Sequence, residues 1–114
     1  MKNYRVVNLE LTLPAVRDMP ERVTRELRQA RAHQIRVIKF IHGYGSTGRG
    51  GKLRLAVRQT LIRAAQAGQI ACCIPGEKLS IFDAATQRAL RLCDELRRDP
   101  DLDRHNNGVT IVVL

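Results

Sequence analysis

Hydrophobic and polar positions switch between two periods along this chain. Tyr4 to Leu11 alternates, with Val7, Leu9 and Leu11 on one side, and predicts a strand. Thr12, Pro14 and Asp18 mark a loop. Residues 20–33 carry Val23, Leu27 and Ala30 at helical spacing; Pro20 suits a first turn, and Asp18 is the expected cap. Ile35 to Ile41 is β-branched and aromatic and predicts a second strand. From Lys52 onward, Leu53, Val57, Leu61 and Ala64 define a second helix that Gly68 ends. Ile70 to Ile74 is a short third strand, closed by Pro75-Gly76. Residues 82–98 set Ala85, Ala89, Leu92 and Leu96 on one helical face, with Asp83 as cap. Asn107-Gly108 then turns the chain into a last strand, Val109 to Leu114.

The order β-α-β-α-β-(α)-β predicts a single α/β domain over residues 1–114. The expected architecture is a two-layer sandwich on a mixed four-stranded sheet, with residues 77–107 a helical insertion between the last two strands. The helix at 82–98 either covers the sheet or presents a surface to a protein partner. Asp94, Glu95, Asp99, Asp101 and Asp103 read as a solvated end of that segment.

Length and composition agree with one globular domain: 114 residues, 44% hydrophobic and 27% charged. No apolar run approaches the roughly 18 residues of a membrane helix. Met1-Lys2-Asn3-Tyr4-Arg5 is followed by no apolar leader segment, so the expected location is cytoplasmic with no membrane partner. Cys72, Cys73 and Cys93 lack metal-ligand spacing and read as small buried hydrophobes. Charge changes the picture more. Residues 1–70 hold 14 Lys and Arg against 4 Asp and Glu, a net of +10, whereas residues 71–114 hold 6 against 7, a net of −1. The whole basic excess therefore sits in the first part of the chain and points to a polyanionic partner, DNA or RNA. Arg22, Arg25, Arg28 and Arg31 recur every third residue as a drifting stripe and read as a solvated helix face.

The sharpest local feature follows the second strand. His42-Gly43-Tyr44-Gly45-Ser46-Thr47-Gly48-Arg49-Gly50-Gly51-Lys52 places five glycines within nine residues, too many for a helix or strand interior. Glycines let backbone N–H groups converge, and the helix from Lys52 aims its dipole back at them. Arg49, Lys52, Arg54 and Arg58 add positive charge, so the unit is built as a phosphate cradle. It is not a nucleotide P-loop, because Leu53 stands where the magnesium-binding hydroxyl belongs. Gly43-Tyr44-Gly45-Ser46-Thr47-Gly48 fits a dinucleotide fingerprint, but Glu10 lies upstream, not about twenty residues downstream where the ribose-binding carboxylate belongs. His42 closes the strand and reads equally as a loop anchor or as a group for proton transfer and phosphate contact. Tyr44 reads equally as loop packing or as a stacking platform for a base.

Ile41-His42-Gly43-Tyr44-Gly45-Ser46-Thr47-Gly48-Arg49-Gly50-Gly51-Lys52-Leu53-Arg54, with Val57-Arg58 and Leu61, resembles the His-Gly-x-Gly loop and Leu-Arg helix of the small MutS-related (Smr) family. Gly108 to Leu114 is similar to the strand that ends that domain. The resemblance implies a compact mixed sheet backed by helices, nucleic-acid binding and, in several members, metal-assisted nicking of DNA or cleavage of RNA. The family's first motif, Leu-Asp-Leu-His-Gly, is altered to Leu9-Glu10-Leu11-Thr12-Leu13: the carboxylate stays and the histidine is lost. The expected binding set is His42, Gly43, Tyr44, Gly45, Thr47, Gly48, Arg49, Gly50, Lys52, Arg54 and Arg58. Glu10 and His42 are the candidate catalytic pair, with Mg²⁺ or Mn²⁺ as the metal of a nuclease reading. The sequence thus leaves a backbone-binding module, a metal-dependent nuclease and a protein-interaction module open.

Overall fold

A computed structural model describes residues 3–11, 15–44 and 49–114, the side chains of Arg49 and Gly50 excepted. Four strands form one mixed sheet: β1 (Tyr4–Asn8), β2 (Val37–Ile41), β3 (Cys72–Pro75) and β4 (Val109–Val113). They lie in the order β1-β2-β4-β3, with β1 parallel to β2 and β4 antiparallel to both its neighbours. The carboxyl ends of β1, β2 and β3 and the amino end of β4 therefore meet at one edge. The mixed four-stranded α/β fold expected from the pattern is present.

The chain enters β1 as predicted but leaves it earlier. Asn8 accepts the Glu10 N–H through its side chain (2.9 Å), an Asx turn that bends the chain away after residue 8. Leu9 still packs inside, while Leu11 is 79% exposed instead of sharing that face. Helix α1 (Met19–Ala32) is entered through a 3₁₀ turn at Val16–Asp18. Asp18 is already in a helical conformation and its side chain makes no capping bond, so the expected cap is absent. Met19, Val23, Leu27 and Ala30 form the buried stripe.

Helix α2 (Arg49–Gln66) starts three residues before Lys52, with Gly50 and Gly51 in its first turn. Gly68, at φ +75°, ends the helix as expected. Leu53, Val57, Leu61 and Ala64 of α2 join the α1 stripe, Val7, Leu9, Ile38, Phe40 and Val112 in one core. These helices and the sheet make two layers, and the segment after β3 adds a third on the opposite face.

The segment after β3 covers the opposite face. Helix α3 (Ala84–Leu92) is capped by Asp83, whose carboxylate accepts the Thr86 N–H at 2.9 Å. It stops at Cys93, which is extended (φ −144°, ψ 99°), and a 3₁₀ turn at Asp94–Arg98 follows in place of one helix through residue 98. The break redirects the buried face, so Ala89, Leu90, Cys93 and Leu96 pack on Val37, Ile74, Ile111 and Val113. Covering the sheet, one of the two roles open to this segment, is therefore filled. Cys93 is fully buried, whereas Cys72 and Cys73 are only half-buried on the edge strand β3.

Asp99 and Asp101 depart furthest from expectation. Tyr4 donates its hydroxyl to Asp99, and Lys39 Nζ donates to both Asp99 oxygens (2.8 and 3.1 Å) and pairs with Asp101. The Lys39 and Asp99 side chains are 6% and 4% exposed, so these carboxylates are buried partners and not a solvated end. Burial and the bond to Asp99 push the Tyr4 hydroxyl far above its usual range.

Candidate nucleic-acid interface

Strand β2 ends in Ile41 and delivers His42 and Gly43 to the shared sheet edge. The Gly108 carbonyl, just before β4, accepts both the His42 and Gly43 N–H groups at 3.0 Å. The first glycine N–H of the loop is therefore spent inside the protein. Gly43 has φ +81°, and a Cβ there would lie 2.7 Å from Glu10 Oε2. Only glycine suits both the backbone and the contact. Glu10, exposed past the end of β1, thus stands against the base of the loop.

His42 is fully buried, and its chemistry follows from its neighbours. Nδ1 lies 2.7 Å from the Gly43 carbonyl, which can only accept, so Nδ1 carries the proton. Nε2 must then accept, and the Thr110 hydroxyl 2.9 Å away donates to it. That hydroxyl in turn accepts from Arg58 Nε at 3.1 Å. Arg58 closes the relay with a two-pronged ion pair to Glu77 (3.0 and 2.7 Å) and reaches the Val109 carbonyl at 3.2 Å. Every partner is satisfied by one neutral tautomer of the histidine. Burial, and more weakly the nearby Arg58 and Arg54 charges, push His42 down to about 4. The Arg58 guanidinium beside Glu77 holds that carboxyl below its usual range.

The geometry therefore answers the two-way reading of His42 in favour of anchoring: the ring is enclosed, neutral at pH 7 and fully engaged. Arg58, expected on a phosphate, is occupied by Glu77, Thr110 and Val109. Tyr44 is 59% exposed, with its ring edge against the position that a Gly108 side chain would fill, 2.9 Å from an added Cβ. It is packed at one edge and open on its surface, so both readings made for it are compatible with its place. Lys52 is exposed and Arg54 half-buried on the first turns of α2, which contain no acidic residue in the opening turn. Gly45, Ser46, Thr47 and Gly48 lie outside the described residues, as do the Arg49 side chain and the exposure of Gly50. Among the described residues no group of three or more His, Cys, Asp or Glu is arranged to hold a metal ion.

Thr110 and Glu77 were not singled out by the sequence, and Gly108 only as a turn and strand start. Thr110 is the one polar residue in a strand otherwise apolar, Val109 to Val113, and that anomaly was the available signal. Glu77 carried none, and the turn signal at Gly108 did not point to His42 and Gly43, since these partners are brought together only by the fold.

No family model matches the chain, and no curated protein matches it. Among solved structures it is similar to the crystal structure of the Smr domain of Thermus thermophilus MutS2. The match has a TM-score of 0.54 at 22% identity and covers 100% of this chain and 98% of that one. The arrangement of strands and helices that positions His42, Gly43 and α2 is thus an Smr-like fold.

Proposed function

We infer that this domain binds the phosphate backbone of DNA or RNA where β2 opens into the glycine loop. One observation carries the reading: a strand anchored by buried His42 and Gly43 leads within a few residues into the amino end of an 18-residue helix whose first turn is basic and free of acid. A helix start of that kind offers free N–H groups and the positive end of a dipole to an anion. The Smr-like fold and the net charge of +9 support it.

Residue roles divide. Lys52, Arg54 and Arg49, with loop N–H groups beyond Gly43, make the contacts, and Tyr44 stacks on an unpaired base. His42 and Arg58 hold the loop in place. Such recognition reads backbone and not sequence. With about four phosphates neutralised at this site, its own contribution to the slope of log K against log salt on duplex DNA should be about −3 to −4. Fluorescence anisotropy across a salt series measures this, and a slope near zero overturns the reading.

A second reading, metal-dependent cleavage of the bound strand, draws on Glu10. Its carboxylate touches the base of the loop and is exposed, so it could take a Mg²⁺ or Mn²⁺ ion together with a substrate phosphate. His42 takes no part in that chemistry, because its ring has no free nitrogen. Plasmid and RNA incubated with Mn²⁺ should be cut by the wild type and spared by Glu10→Gln. Equal cutting by both proteins removes Glu10 from the chemistry.

A further inference from the structure

The basic excess has a second location. Because β1, β2 and β3 point the same way, α1 and α2, which connect them, both run away from the loop end of the sheet. A shallow groove lies between the two helices. It is made of three adjoining hollows that share Thr24: Arg25 and Arg28 line one on α1, Arg28 and Arg31 a second with Gln69, just past α2, and Arg63 of α2 a third, again with Gln69. All four arginines are exposed, and none of them pairs with a carboxylate among the described residues. Arg22, the remaining member of the α1 stripe, is held by Glu26 at 3.1 Å. Glu21 is the carboxylate that borders the groove.

A solvated helix face explains arginines scattered on α1, but the hollow that Arg63 lines from a second helix adjoins theirs at Thr24 and Gln69. Guanidinium groups gathered in this way repel one another and gain from an anion laid along them. Their planar forks suit phosphate oxygens. A membrane surface fits less well, since Met19, Val23, Leu27 and Ala30, the apolar side of α1, are all buried in the core. From Arg49 at the start of α2 to Arg63 the helix rises about 21 Å at 1.5 Å per residue. That matches roughly six nucleotides at about 3.4 Å each.

We propose that the α1–α2 groove is a second phosphate-binding track, which carries the nucleic-acid backbone from the glycine loop along the helical face. The inference rests on the backbone-binding reading above and assigns Arg25, Arg28, Arg31 and Arg63 to it.

The test compares wild type, Lys52→Ala and the double variant Arg28→Ala/Arg63→Ala on a 24-base-pair duplex and on a tetranucleotide, across a salt series. The substituted side chains are all exposed, and thermal melts check that each variant is folded. The double variant should lower the duplex salt slope by about 1.8 and leave the tetranucleotide, too short to reach the groove, unchanged. Lys52→Ala should weaken both ligands. An unchanged duplex slope in the double variant, with Lys52→Ala still harmful, overturns the track alone. No duplex binding by the wild type overturns the parent reading together with it. A double variant that loses only polyglutamate or anionic vesicles, with duplex binding intact, assigns the groove to another partner and also overturns the proposal.

Discussion

Two buried polar networks fasten the same stretch of chain, residues 99–110, to the sheet, and they are built on opposite principles. On the face beneath α3, Lys39 meets Asp99 and Asp101 with Tyr4 at one side, and the charges are removed from water. At the loop edge, His42 is neutral, and the only formal charges, Arg58 and Glu77, sit near the rim with side chains 19% and 40% exposed. The first network is rigid but intolerant, because each charge depends on its partner. The second passes hydrogen bonds from a wet ion pair through Thr110 to a dry histidine, and so orients a loop without burying a charge. A ligand-binding edge gains from that arrangement, since among the described residues the carboxylates an anion meets there, Glu10 and Glu77, are both exposed and open to solvent screening.

The largest expected effect breaks the charged network. Lys39→Met leaves Asp99 and Asp101 without their cation, and an uncompensated buried charge costs about 3–5 kcal/mol. Urea unfolding should show that loss, while the salt slope of nucleic-acid binding by the folded variant stays as in the wild type. A loss below about 1 kcal/mol would mean that water reaches these carboxylates.

Acid should separate the networks next. His42 binds its proton only near pH 4 when folded, against 6.5 when unfolded. The unfolded state therefore holds more protons between those values, and stability falls as pH drops through that window. The full difference is about 3 kcal/mol by pH 4, on the order of 1.4 kcal/mol per pH unit. Lys39 lies above its usual range, since its bonds to Asp101 and Asp99 outweigh burial, and does not titrate in that window. NMR of the His42 ring should show a midpoint near 4, and a midpoint near 6.5 would mean an open ring.

The contrast also marks how far the sequence could be read. Each strand and helix announced itself by period, and the loop at the end of β2 by its glycines. The approach of Glu10 to the loop followed from two strands ending at one edge. Boundaries were lost where a polar side chain overrides the pattern, as Asn8 does after β1, or where one residue turns extended, as Cys93 does. The networks were invisible for a different reason. Arg58 meets Thr110 across 52 positions and Lys39 meets Asp99 across 60, and periodicity says which side a residue faces but not whom it meets. Arg58 consequently read as one more phosphate ligand, and Asp99 as solvent-exposed.

Arg58 offers the finest division between the two networks. Arg58→Lys keeps a cation for Glu77 but cannot supply both the fork and the Nε bond to Thr110, because an ammonium is a point charge on a flexible stem. Losing one charge-assisted bond of this kind costs about 1.5–3 kcal/mol at most, less here because Glu77 is solvated. Thr110 keeps its bond to His42, so the ring should remain buried and its NMR midpoint low. If Arg58 positions the loop, Arg58→Lys should weaken nucleic-acid binding through a lower association constant at every salt, with the slope unchanged, because no phosphate contact is lost. If Arg58 itself contacts phosphate, Arg58→Ala lowers the slope by about 0.9 and Arg58→Lys restores it. The two variants on one duplex therefore separate a residue that acts through His42 and Thr110 from one that touches the ligand.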